Sequence, residues 1–175
     1  MARTKVTVIH LELAALDELR VAKDVPGFSV RLVFPPVPSF NRHCYETIGK
    51  VWHWRDRLTW SEDDWARWLA TPGVRTWEFL FEGRPGIGYA ELATDLNGST
   101  EIVYFGVKPE FVGRGMGGAA LTQIVEVAFS LPSRRVWLHT CTFDSPMAIV
   151  NYEARGFQRF KVVEELREVP DPPAT

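Results

Sequence analysis

Apolar residues along the chain switch between a spacing of two and a spacing of three to four, which predicts strands with helices between them. Val6 to Leu13 and Phe28 to Phe34 are β-branched or alternating stretches separated by a charged turn with Pro26-Gly27, the pattern of two strands. Pro35, Pro36 and Pro38 interrupt regular pairing, and Ser39 or Asn41 can cap a helix running to about Lys50. Ser61-Glu62-Asp63-Asp64 places acids in a first helical turn. Trp65, Trp68 and Leu69 follow at i, i+3, i+4, and Thr71-Pro72-Gly73 stops the helix.

Thr76 to Glu82, Gly86 to Thr94 and Thr100 to Val107 read as a meander with turns at Gly83-Arg84-Pro85 and Asp95-Leu96-Asn97-Gly98. A helix from Gly115 to Ser130 follows, with Met116, Ala119, Ala120, Ile124, Val127 and Ala128 on its packed face. Arg135 to Thr140 is a buried strand, Pro146 to Arg155 a short helix closed by Gly156, and Phe157 to Leu166 a last strand. Trp65, Trp68, Trp77 and Trp137 fall on core positions. Strands in series with interleaved helices predict one α/β (α+β) domain over residues 1–168. Residues 1–35 read as an N-terminal strand extension, and the proline-rich end, Glu168 onward and chiefly 169–175, as a flexible tail.

A length of 175 residues suits a single domain. With 46% hydrophobic and 24% charged residues the chain can bury a core. A net charge of −2, with no block of like charges, gives no footprint for nucleic acid. No apolar run approaches the ~20 residues that span a bilayer. Lys5, His10 and Glu12 interrupt any secretory segment, so a cytoplasmic location without membrane contact is expected. Cys44 and Cys141 lie far apart without a CxxC and are read as reduced. The four histidines show no metal-ligand spacing, so no metal is expected.

The chemistry concentrates in the stretch from Glu101 to Gly118, where a buried strand passes through a glycine-rich loop into a helix whose first turn lacks side chains. Free N–H groups and the positive end of the helix dipole favour an anion, and glycine lets phosphate oxygens reach them. Gly113-x-Gly115-x-x-Gly118 satisfies the dinucleotide pattern GxGxxG. Lys108 to Val112 separate strand from glycine, however, and the next strand ends in His139-Thr140-Cys141-Thr142 without the acid that would bind ribose. No Lys-Ser or Lys-Thr follows the glycines, which removes the triphosphate loop.

Val112-Gly-Arg-Gly-Met-Gly117 lies in the register of [Q/R]xxGx[G/A], and Tyr152-Glu-Ala-Arg-Gly-Phe157 matches a terminal Y-x-x-x-G-F. In this order, with a strand between them, the two motifs resemble those of the Gcn-related N-acetyltransferases, the GNAT superfamily, over about residues 74 to 165. The resemblance implies a central mixed, mostly antiparallel sheet flanked by helices, with acetyl-CoA (coenzyme A) as co-substrate. It implies transfer to the amine of a small molecule or peptide, and many relatives are homodimers. By the same resemblance Phe105, Val107, Val112, Gly113, Arg114, Gly115, Met116, Gly117, Ser145 and Tyr152 are expected to hold the coenzyme. The strand of Phe105 to Val107 is expected to part from its neighbour there. Val112 and Ser145 depart from the family pattern, which usually has Gln or Arg at the first position and in many members Asn at the second.

An alkyl ammonium with a pKa of about 10.4 must lose a proton before it attacks a thioester. Glu101, fourteen residues before Gly115 as in the histone-type members, is the expected base; an exposed strand-start glutamate is the alternative. Glu91 is the second candidate, ahead of His53, His139 and Asp144. Tyr152 is the expected acid for the departing sulfur, against the alternative of a core tyrosine with a satisfied hydroxyl. Trp52, Trp54, Asp56 and Glu91 are expected at the acceptor, where aromatic faces and a carboxylate suit a cationic amine; core packing of the tryptophans is the competing reading. A module that binds acyl-CoA without turnover is the alternative function, motivated by Val112 and Ser145.

Overall fold

In a computed structural model of the chain, in which residues 2–169 are described, the strand segments pair into one seven-stranded sheet. The strands are β1 (Ala2–Leu13), β2 (Phe28–Leu32), β3 (Val74–Phe81), β4 (Arg84–Thr94), β5 (Ser99–Val107), β6 (Arg135–Cys141) and β7 (Gln158–Val169). Their order is β2-β3-β4-β5-β6-β1-β7, and every neighbouring pair is antiparallel except β5 and β6. The helices are α1 (Pro38–Gly49), α2 (Glu62–Leu69), α3 (Met116–Ser130) and α4 (Pro146–Ala154). The expected mixed, mostly antiparallel sheet is therefore present. No helix is long and apolar enough to cross a membrane among the described residues.

Strand alternation sorts the core into two layers. Ala90 and Leu92 of β4 face α3 with Leu11, Ile102, Val136 and Leu138, all fully or almost fully buried. Tyr89, one residue out of phase, faces α1 and packs with Cys44 and Ile48. Burial pushes the Cys44 thiol up to about 12, so it is an inert apolar group.

Several boundaries differ from the sequence reading. Helix α1 starts at Pro38, capped by Val37, because proline at a first helical position loses no needed hydrogen bond. Asn41 is not a cap; it is buried inside the helix. The β3–β4 turn shrinks to Glu82-Gly83, whose φ angles of 51° and 74° are the pair a tight two-residue hairpin requires, so Arg84 and Pro85 join β4. Strand β1 is interior to the sheet, between β6 and β7. It pairs with β7 out to Ala2↔Val169, so Glu168 and Val169 lie in a strand and not in a tail; residues 170–175 of the expected tail lie outside the described residues. Of the four tryptophans assigned to the core only Trp65 is fully buried; Trp68, Trp77 and Trp137 are partly exposed.

Helix α2 begins as expected, with a capping box. Ser61 Oγ accepts from the Asp64 amide at 3.2 Å, and Asp64 Oδ2 accepts from the Ser61 amide at 2.9 Å. Ser61→Ala is expected to lower stability by about 1 kcal/mol, read as a fall in the urea midpoint at constant slope.

Candidate active site

The site forms where the sheet opens. β5 and β6 pair only at Ser99↔Arg135, Thr100↔Val136 and Glu101↔Trp137, then separate. A bulge helps to turn β5 aside: Glu91 pairs with Tyr104 and Leu92 with Ile102, which leaves Val103 as an extra residue. Beyond it, Phe105 to Val107 stay paired to β4 on one edge, and their other edge has no strand partner among the described residues. The expected parting of these strands is present.

The fork opens into a cleft of about 1280 Å³, larger than the ~300–1,000 Å³ of an ordinary small-molecule pocket. One end is the start of α3. Gly115, its cap, has φ 76°, and no side chain caps the helix. A Cβ at Gly113 would meet nothing within 4 Å, and one at Gly115 or Gly117 would meet only a side-chain atom at 3.7 Å, so a ligand can reach this backbone directly. Asn151 Nδ2 donates to the Gly117 carbonyl at 3.1 Å and ties α4 to this turn. Arg114 lies over the Phe111 ring at 5.5 Å and borders the cleft with Val112, which is more than half exposed.

Of the residues expected to hold coenzyme, all but Met116 border this cleft. The Met116 side chain is buried in the core, so only its backbone is on offer. Ser145 caps α4 by accepting from the Met147 amide at 3.2 Å. Tyr152 is 8% exposed, and its hydroxyl finds no hydrogen-bond partner among the described residues. Burial, reinforced by the Asp144 carboxylate, pushes the phenol well above its ordinary range, so it carries its proton at neutral pH.

The opposite wall holds Trp52, Trp54 and Asp56. Asp56 is oriented by two phenols: Tyr45 donates to one oxygen at 3.1 Å and Tyr104 to the other. Burial first, then the Asp56 hydrogen bond, raises Tyr104.

Two expected residues are elsewhere. Glu91 faces α1 and α2, is fully buried, and is absent from the cleft wall. Its carboxylate accepts from Arg57 at 2.8 Å, Trp68 Nε1 at 2.6 Å and Asn41 at 2.9 Å, three donors that hold it away from the cleft. The faces of Trp60 and Trp68 that suit a cation are taken by Arg57, 4.4 and 4.7 Å from the ring centres. Glu101 lies on the strand face away from α3, just before the fork, and the cleft wall there is His139, whose Nδ1 stands 3.4 Å from Glu101 Oε1.

The group Asn41–Arg57–Glu91 is not legible in the sequence, because its members are up to 50 residues apart and no local pattern links them. The signal for His139 is its alternation with buried Leu138 on one strand.

The family model for the acetyltransferase (GNAT) family matches residues 39–157. The chain belongs to this family, whose members transfer acyl groups from acyl-CoA. The fold agrees with that of a GCN5-related N-acetyltransferase from Kribbella flavida, at 16% identity and a TM-score of 0.64 over 95% of this chain and 58% of that one. It agrees likewise with the Sphaerobacter thermophilus member, at 15% identity and 0.69 over 94% and 52%. The Bacillus subtilis protein YycN, at 20% identity and 0.62, is covered over its whole length by 82% of this chain. This chain spans little more than half of the Kribbella and Sphaerobacter chains. None of the curated proteins compared is similar in sequence.

Proposed function

We propose that the protein transfers an acetyl group from acetyl-CoA to the primary amine of a small molecule or peptide by direct attack, in the cytoplasm. The observation that carries this reading is one continuous cleft. It joins the uncapped glycine turn of α3, the unpartnered edge of β5, the phenol of Tyr152 and the wall of Trp52, Trp54 and Asp56.

When bound, the thioester supplies an activated acyl carbon and a thiol leaving group. The amides from Gly113 to Gly117 would hold the diphosphate, with Arg114 beside it. Phe105 to Val107 would meet the pantetheine arm, and the amides of Phe105 and Val107, which point to the unpartnered edge, would polarise the carbonyl. Tyr152, kept protonated by burial, would give its proton to the sulfur. Asp56 and the two tryptophans would orient a cationic amine at the other mouth.

Gly115→Glu is the direct test of the loop. It puts a side chain and a negative charge where φ is positive and the diphosphate would sit, and calorimetry is expected to show acetyl-CoA affinity falling by about two orders of magnitude or more. Equal affinities would discard the assignment. A thiol-release assay over polyamines, aminoglycosides, amino acids and peptide N-termini would then identify the acceptor. Tight binding with no thiol release from any of them would favour an acyl-CoA-binding module.

A further inference from the structure

The transfer reading leaves open which group takes the amine's proton, since Glu91 is tied up by three donors and Glu101 does not reach the cleft wall. His139 does reach it. It lies on β6 two residues past Trp137, the last residue paired to β5, and so at the crotch of the fork. Its side chain is 43% exposed. Nδ1 faces the Glu101 carboxylate at 3.4 Å, and Nε2 has no hydrogen-bond partner among the described residues.

We infer that His139 is the general base of the transfer, and that Glu101 is a positioning residue that holds the imidazole ring and stabilises its protonated form. This inference rests on the acetyltransferase reading given above. In the step, the neutral amine nitrogen bonds to the thioester carbon, and the C–S bond breaks with its electron pair going to sulfur. His139 Nε2 takes the proton shed by the new amide nitrogen, and Tyr152 protonates the thiolate. The imidazolium returns its proton through solvent to the tyrosinate, so the products are amide and free thiol.

The surroundings fit the role. On β1, His10 pairs in register with His139 and their rings are 5.5 Å apart. Burial, then the neighbouring charges of His139 and of Lys161 on β7, hold His10 below its ordinary value. Trp137 lies beside His139 with ring centres 6.3 Å apart. On β6 itself Arg135 is paired to Glu12, and Cys141 has its thiol raised by burial. Glu101 is thus the one carboxylate against the His139 ring among the described residues.

The test combines kinetics with coenzyme affinity. His139→Gln is expected to lower kcat with the best acceptor of the panel by about a hundredfold or more, with the acetyl-CoA Kd unchanged. The acid limb of the wild-type kcat/KM profile should be absent from His139→Gln. Glu101→Gln should lower kcat with the amine KM unchanged, and Glu101→Asp should restore much of the loss, because the ring is held from Nδ1. Wild-type turnover and an unaltered acid limb in His139→Gln would overturn the base assignment and leave acetyl transfer standing. Absence of amine-dependent thiol release from the wild type would overturn both.

Discussion

Glu91→Ala is expected to lower the unfolding free energy by about 3–5 kcal/mol, the cost of leaving a buried charge without its partner. The charge is Arg57, 6% exposed, with Nη1 2.8 Å from the Glu91 carboxylate. Trp60, Trp68 and Tyr104 stack around the guanidinium at 4.4 to 4.7 Å, and these faces attract a cation without replacing a carboxylate. The same substitution strips Trp68 Nε1 of its acceptor and leaves Asn41 Nδ2 with Thr76 Oγ1 alone, and Asn41 is itself fully buried. Water can enter the vacated space and soften the loss, so the lower end of the range applies if the helices α1 and α2 loosen.

A denaturant midpoint in wild type, Glu91→Ala, Arg57→Met and the double variant Arg57→Met with Glu91→Met measures the effect. The double variant is expected to recover much of the loss, since an apolar pair of similar volume removes both desolvation costs. The cycle also separates structure from chemistry. If Glu91→Ala abolished turnover with an unchanged midpoint, the residue would be a reacting group after all. A large fall in midpoint instead identifies it as the anchor that fastens α1, the Arg57 segment and α2 to β4.

That anchor marks the limit of what the chain's pattern discloses. The strands and helices were legible because burial imposes a period: Trp65 and Leu69 repeat on one side of α2, and Ala119, Ala120, Ile124 and Ala128 on one side of α3. The glycine turn was legible because bare backbone before a helix has few other uses, and α3 begins one residue after the predicted start. Long-range polar pairing was not. Asn41 has the chemistry of a cap and the position of a buried donor, and only the arrival of Thr76 and Glu91 opposite it decides between them. Glu101 illustrates the same gap. Its spacing from Gly115 placed Glu101 correctly on β5, but which side chain stands between it and the cleft depends on β6, a strand more than 30 residues on. The strand that holds Glu168 is illegible for a related reason, because Glu168 pairs with Arg3 on β1, more than 150 residues away in the chain.

Tyr152→Phe is expected to reduce kcat by about 10²–10⁴-fold while leaving the acetyl-CoA Kd within a factor of two or three. The substitution deletes one oxygen from a side chain already packed against Phe157, whose ring centre is 6.3 Å away, so the apolar contacts that seat α4 persist. It removes no protein hydrogen bond, because the hydroxyl has no partner among the described residues; stability should therefore hold or rise slightly. The loss should fall on the step in which sulfur departs. A thiolate leaving without a proton carries its full charge into a wall already bearing the Asp144 carboxylate, and the buried phenol is a raised acid at that wall whose hydroxyl is unengaged among the described residues. The decisive measurement uses acyl donors whose thiols differ in acidity. With the wild type, turnover should depend weakly on leaving-group pKa; with Tyr152→Phe the dependence should steepen, and the best leaving groups should recover most of the rate. Identical slopes in both proteins, or full turnover in the variant, would remove Tyr152 from the proton path and leave it as a cleft-wall residue alone.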